Sequence, residues 1–280
     1  AGLDPASWEI VAWRQSQWGD PPKYATRWSA RRRTIPLREH VTAEDMEALI
    51  ANVAPHKPVR RKGKDAFVVA LADWQIGGTG PGGGTEDTVR RVLALKGAVT
   101  QRVAELRASG RDIPDLVVLG LGDLSEGVCG FYSNQSWEID CDQRTQIRTT
   151  YRLIVALLME WAPLFRNVAV VPVGGNHGET RGGGNRAITG TADNTDVLVF
   201  ELARDTLAVS PAFRHVTWQI PDGELSQVVD VHGTVLGVTH GHLARGGAGA
   251  ANKLERWWRG QVFGHQPVKD AHILVSGHYH

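Results

Sequence analysis

The chain has only two cysteines, Cys129 and Cys141, among its 280 residues. That number excludes a disulfide framework, and their spacing is not that of a zinc finger. Both read as core or near-core thiols in a reducing compartment. A charge of one sign is also lacking: 31 Lys and Arg face 30 Asp and Glu, for a formal net charge of +1. Only the local distribution of charge can therefore bear on partners. No apolar run approaches the ~18 residues that a membrane span needs, and the N-terminus has no signal-peptide pattern. Solenoid repeats and low-complexity tracts are absent. A cytoplasmic protein with no membrane contact is expected. The chain begins with Ala and stops on His280 within an apparent motif, so a processed or recombinant product, longer in its native form, is expected. Hydrophobic residues at 42% and charged residues at 22% are ordinary for a globular domain with a sizeable core.

Residues 1–65 differ from the rest. They carry Trp8, Trp13, Trp18 and Trp28, a Pro21-Pro22 pair, and the basic clusters Arg31-Arg32-Arg33 and Arg60-Arg61-Lys62 with Lys64. Twelve basic residues stand against eight acidic ones, an excess of four in an otherwise balanced protein. A short helix is expected from Thr42, with Glu44, Asp45 and Glu47 in its first turns. The segment is expected to be a helical or irregular arm. Two readings stand for it: a surface for single-stranded nucleic acid, through phosphate contacts and stacking on tryptophan, or a solvated arm whose tryptophans pack on the main domain.

From residue 66 onward the pattern is that of an α/β domain. Apolar strand-like runs at 67–72, 116–121 and 168–173 alternate with helix-period segments, the first with Thr85 as its expected N-cap and the others opening near 142 and near 193. Glycine-rich loops, Gly77–Gly84 and Gly182–Gly184, follow two of the strands. Further strands are expected at 214–220, 226–231 and 234–239, with His232-Gly233 as a hairpin turn. A basic helix with Lys253, Arg256, Trp257, Trp258 and Arg259 precedes the last strand-like run, Ile273–Ser276.

The same event recurs at five of these runs. An apolar strand stops, and a ligand-type residue sits beyond its C-terminal end: Asp73, Asp123, Asn176, His240, and His278 with His280. Ligands of layered α/β folds bind at such edges. Buried carboxylates and imidazoles gathered there need something to neutralise them, and a pair of divalent cations does so with one carboxylate shared between the ions.

The order Asp73-x-Gln75, Gly122-Asp123, Gly175-Asn176-His177-Gly178-Glu179, His240, then Gly277-His278-Tyr279-His280 resembles the calcineurin-like metallophosphoesterase superfamily, over roughly residues 67–280. The resemblance implies a four-layer αββα sandwich with two mixed β-sheets. It implies that Asp73 and His280 hold one metal, that Asp123 bridges both, and that Asn176, His240 and His278 hold the other. His177 then stabilises phosphate charge or protonates the leaving oxygen, and a hydroxide between the ions attacks phosphorus. Gln75 departs from the pattern, because the family has His there. It either ligates through its amide oxygen or leaves that site weaker, which favours Mn²⁺, with Mg²⁺, Zn²⁺ or Fe as other candidates. His242 is either an imidazole supporting the site or a bystander. Glu126 and Glu179 read as acceptors that orient imidazoles.

The resemblance gives the chemistry and leaves the substrate open. The basic arm, the 253–259 helix and the glycine-rich loops favour a polyanion. Arg181, Arg186, Lys253 and Arg256 are the candidate substrate contacts, with solvation as the alternative. The leading expectation is a phosphodiesterase acting on DNA, a processing nuclease or exonuclease of the SbcD type or a phage-encoded relative. A phosphomonoesterase acting on nucleotides or phosphoproteins is the alternative within enzymes, and a scaffold without metals is the contrasting class.

Overall fold

The structure is a computed structural model that describes residues 8–32, 59, 61–128, 130–182 and 186–279. The expected helix from Thr42, Cys129 and His280 lie outside the described residues.

The N-terminal arm contains a β-hairpin, which corrects the helical or irregular expectation. Strand β1 (Trp8–Trp18) pairs antiparallel with β2 (Lys23–Arg32), and Trp13 stands opposite Trp28 in the register. The physical reason lies in the residues. Two stretches rich in aromatic and β-branched side chains flank Gly19-Asp20-Pro21-Pro22, and such runs around a turn cluster form hairpins.

The remaining elements follow in chain order: β3 (Ala66–Leu71), α1 (Thr85–Ala108), β4 (Asp115–Gly120), α2 (Gln143–Trp161), β5 (Asn167–Pro172), the short pair β6 (Arg181–Gly182) and β7 (Arg186–Ala187), α3 (Thr195–Ala208), β8 (Val216–Trp218), β9 (Ser226–Val231), β10 (Thr234–Thr239), α4 (Ala250–Phe263) and β11 (Ile273–Ser276). Strands β3, β4, β5 and β8 form one sheet in the order β3-β4-β5-β8, and every pairing in it is parallel. This sheet is therefore not mixed, as the resemblance implied. Its strands are joined by helical crossovers, the connection that parallel neighbours require. The second sheet, β11-β10-β9, is mixed: β10 runs parallel to β11 and antiparallel to β9. The β9–β10 turn falls on His232-Gly233, both at positive φ (53° and 90°), as a two-residue type I′ turn needs.

Alternate residues of the parallel strands serve two cores. Leu116, Val118, Val168 and Val170 pack with Val92, Val103, Leu153 and Phe200 of the helices. Val117, Leu119, Val171 and Val173 face Leu236 and Val238 of β10. The parallel sheet is thus covered by helices on one face and by the second sheet on the other, and its apolar strands read as continuous hydrophobic runs for that reason. Cys141 is buried, and burial pushes its thiol up to about 12, as suits an unreactive core thiol. Among the described residues no helix is long and apolar enough to cross a membrane.

Helix α1 begins one residue differently from the reading of Thr85 as its cap. Gly84 holds the cap position, its N–H donating to Asp87 Oδ2 at 3.2 Å. The Thr85 hydroxyl is occupied elsewhere: it accepts from Gly77 N–H (2.8 Å) and donates to Asp140 Oδ1 (2.6 Å), tying the glycine-rich loop to the segment before α2.

Candidate metal centre

Parallel strands carry their C-terminal ends to one edge, and the segments leaving β3, β4, β5, β10 and β11 meet there. Backbone bonds knit them together. Asp73 N–H donates to Gly122 O (3.1 Å), Gln75 N–H to Asp123 O (3.0 Å), and His177 N–H to Asp123 Oδ1 (2.8 Å). His278 N–H points at both carboxylate oxygens of Asp73, at 3.2 and 3.0 Å. The non-glycine residues at positive φ concentrate here: Asp73 (52°), Gln75 (46°), Asp123 (53°) and His278 (71°). That conformation is uncommon for side-chain-bearing residues, and its gathering at one edge is the kind of local strain that marks functional sites.

The ligand-type atoms converge on Asp123, which is 2% exposed. Its Oδ2 lies 2.9 Å from His240 Nε2, and that nitrogen is also 3.1 Å from Asn176 Oδ1. His240 is fully buried, and its Nδ1 is 2.7 Å from Leu121 O. A carbonyl at that distance accepts a hydrogen bond from Nδ1–H, which leaves Nε2 facing the carboxylate and the amide. The His278 ring stands edge-on to His240 at 5.0 Å between centroids. Asp123, His240 and His278 offer ligand atoms that all lie within 4.8 Å of one another, so this buried cluster could hold a metal ion. Its mixed oxygen and imidazole donors suit borderline divalent cations.

Electrostatics agree with the geometry. Burial works to raise the Asp123 carboxyl, but the His240 hydrogen bond and charge, aided by His177, leave it below its ordinary value. Burial opposes the charge on His240, and Asp123 overcomes it, so His240 is raised. For His177, burial is outweighed by Glu126 and Asp123, and its value is pushed up to about 9. Its Nδ1 sits 2.8 Å from Glu126 O and 3.4 Å from Glu126 Oε2, and its ring stacks flat on Phe131 at 4.5 Å. His278 is lowered by burial and by His240.

The other expected residues are distributed unevenly. Arg181 is pinned by Glu179 (2.7 Å) and lies over the Phe131 ring, on which His177 also stacks, at 4.6 Å. Lys253 of α4 lies over the Tyr279 ring at 5.2 Å, beside His278. Arg186 and Arg256 are exposed. Glu179 Oε1 is 3.7 Å from His242 Nε2, and neither ring nitrogen of the part-buried His242, both of them shielded from solvent, makes a hydrogen bond. Burial, then His240, holds His242 down to about 4. Replacing it by Leu removes two unsatisfied buried atoms at similar volume. The metal-free His242→Leu protein is expected to be more stable by about 1 kcal/mol, read as a higher urea midpoint.

Sequence reasoning missed Asp196. This fully buried carboxylate, in the first turn of α3, accepts from the backbone N–H of Asp123 (2.8 Å), Leu124 (2.9 Å) and Gly175 (3.0 Å). It holds the loops after β4 and β5 in register with each other. Asn194 caps α3 by accepting from Asp196 N–H at 2.9 Å, and its amide donates to Gly175 O at 2.9 Å. In the sequence, Asn194-Thr195-Asp196 carries only the signal of an ordinary helix start. No protein-family model matches the chain, and no curated protein does.

Proposed function

We propose that the chain is a divalent-metal-dependent phosphoesterase of the calcineurin-like metallophosphoesterase kind, built on that family's four-layer sandwich, and that it hydrolyses phosphodiester bonds of DNA in the cytoplasm. The observation that carries this reading is the convergence on Asp123: a buried carboxylate shared among His240, the neighbouring His278 and the N–H of His177, with Asn176 on the same imidazole nitrogen. In this reading Asp73, Asp123 and His280 would hold one ion, with Gln75 either adding its amide oxygen or leaving that site weaker, and Asp123, Asn176, His240 and His278 would hold the other. Such ions, Mn²⁺ by preference, supply charge neutralisation for the phosphate and an activated water.

The chain's own residues do the rest. His177 keeps its Nδ1 on Glu126, which leaves Nε2 to meet a phosphate oxygen or deliver a proton to the leaving oxygen. Arg181, fixed by Glu179 and Phe131, presents positive charge without needing to be ordered first. The α4 face with Lys253, Arg256 and Arg259 extends positive charge away from His278, as a polyanionic substrate requires.

With Mn²⁺, the protein is expected to turn over bis-p-nitrophenyl phosphate and labelled single- or double-stranded DNA, and Asn176→Ala to lower that turnover by about 100-fold or more. Turnover of p-nitrophenyl phosphate without any diester cleavage would sink the nuclease reading in favour of a phosphomonoesterase. Inactivity with every metal, and an Asn176→Ala protein indistinguishable from wild type, would instead leave a scaffold.

A further inference from the structure

The loop between β4 and α2 sends three side chains, Phe131, Tyr132 and Gln135, to His177 and its partner Glu126. Glu126 is buried, and its Oε1 accepts from the Tyr132 hydroxyl (2.9 Å) and from Gln135 Nε2 (3.3 Å). Gln135 Nε2 also donates to Glu126 O (2.9 Å), and Gln135 Oε1 accepts from Phe131 N–H (3.2 Å). One fully buried amide thus ties Glu126 to the residue that stacks on His177. Partial burial and the Glu126 contact raise the Tyr132 hydroxyl above its ordinary value, so it stays a donor.

The last torsion of a histidine is broad and roughly two-fold, so a ring needs two separate constraints before one nitrogen has a fixed aim. Phe131 supplies the first. It lies flat against His177, with 4.5 Å between centroids and 1° between planes. A flat stack fixes the plane of the ring but accepts either of its two flipped orientations. Glu126 supplies the second, because Nδ1 lies 2.8 Å from its O and 3.4 Å from its Oε2. A flipped ring would set a carbon there and lose both contacts. Glu126 Oε2 is left to the ring because Oε1 is occupied by Tyr132 and Gln135. Gln135 by itself already ties the loop to Glu126. The hydroxyl of Tyr132, a side chain 42% exposed, is a further donor to the same oxygen, and what it adds is fixation of the carboxylate.

We infer that Phe131 and Tyr132 are positioning residues: Phe131 fixes the plane of the His177 ring and Tyr132, through Glu126, fixes its direction, so that Nε2 is aimed at the leaving oxygen of the ester. The inference rests on the phosphoesterase reading for what Nε2 meets, and on the contacts of this loop for the aim itself. Its consequence is selectivity by leaving group. When the ester bond breaks, its electron pair goes to the leaving oxygen, and an alkoxide must take up the Nε2 proton whereas a nitrophenolate departs without one. An ill-aimed ring therefore costs an ester with an alkoxide leaving group far more than a nitrophenyl ester.

The test compares bis-p-nitrophenyl phosphate with the dinucleotide thymidylyl-thymidine, whose leaving group is a sugar alkoxide, on the Mn²⁺-loaded protein. In Phe131→Leu and in Tyr132→Phe, kcat for the dinucleotide is expected to fall at least about tenfold. KM, Mn²⁺ affinity and turnover of the nitrophenyl ester are expected to stay within about threefold of wild type. Phe131→Tyr keeps the ring and is expected to recover most of the dinucleotide rate. Equal loss on both esters, or no loss on either, overturns the inference. A second readout needs no turnover. In the metal-free protein the His177 ring protons, identified by nuclear magnetic resonance through their absence in His177→Gln, are expected as one set carrying the shift of a stacked aromatic ring. Tyr132→Phe is expected to split or broaden that set, and an unchanged His177 signal in this variant overturns the inference even where activity changes. A wild type inactive on both esters, with ring signals that respond as stated, would strike the phosphoesterase reading alone.

Discussion

Gly175→Ala is expected to eliminate metal binding and to destabilise the fold together. A Cβ at Gly175 would lie 2.1 Å from Asp123 Oδ1 and 2.4 Å from the Asp123 backbone nitrogen, distances no real contact tolerates. Relief cannot come from the other side. A Cβ at Gly122 would be 2.5 Å from Gly175 N, so the loops after β4 and β5 already touch backbone to backbone. The smallest possible side chain must therefore push Asp123 out of the cluster or part the two strand ends. Forced overpacking of this kind costs about 1–3 kcal/mol, and losing the central carboxylate removes a ligand from the cluster. Calorimetric titration with Mn²⁺ should show no saturable binding, and the thermal midpoint should fall. A Gly175→Ala protein that binds Mn²⁺ like wild type would place the metal away from Asp123.

Asp196→Ala is expected to cost still more stability without replacing any ligand-type residue. Its carboxylate satisfies three buried backbone N–H groups from two loops. Each buried donor left without a partner costs about 1–3 kcal/mol, so a loss of roughly 4 kcal/mol or more is expected in urea unfolding. Asp196→Asn is the informative control. Oδ2 accepts from Asp123 and Gly175 while Oδ1 accepts from Leu124. An amide keeps its oxygen for one side and sets NH₂ against N–H on the other. Asn should therefore recover part of the stability, and recover metal affinity in proportion. The burial that pushes Asp196 up to about 6, with help from Asp123, works against three donors that favour its charged form. If Asp196→Ala unfolds at the wild-type urea concentration, the residue does not hold the loops.

Much of the edge was legible because strand ends are read locally. Each apolar run and the residue after it lie within a few positions, so Asp73, Asp123, Asn176, His240 and His278 could be singled out one by one. The helix and strand boundaries of the α/β part were legible for the same reason. Three things were not. Asp196 acts across 73 and 21 residues of sequence on backbone groups, and backbone donors leave no residue-type signature. The β1–β2 hairpin was hard to read because β1 does not alternate, with Ile10-Val11-Ala12-Trp13 in one run, although Tyr24, Thr26 and Trp28 alternate in β2 after the Gly19–Pro22 turn cluster. The relative direction of β3, β4, β5 and β8 depends on where the crossovers carry the chain, and no single strand's residues encode that. The contacts of Phe131 with His177 and Arg181 were likewise invisible, since Phe131 lies in a loop with no motif.

The hydrogen bond from His278 to Asp73 joins residues 205 positions apart. The residues of the helix-covered parallel sheet, and Asp73, Asp123 and Asn176 with them, are all synthesised before β11. The edge is finished only when that strand slides in beside β10 and brings His278 to the carboxylates. Contacts of such long range form late. Incomplete or prematurely released chains thus lack His278, one of the three groups of the cluster, and the edge cannot be finished until synthesis has passed Ser276.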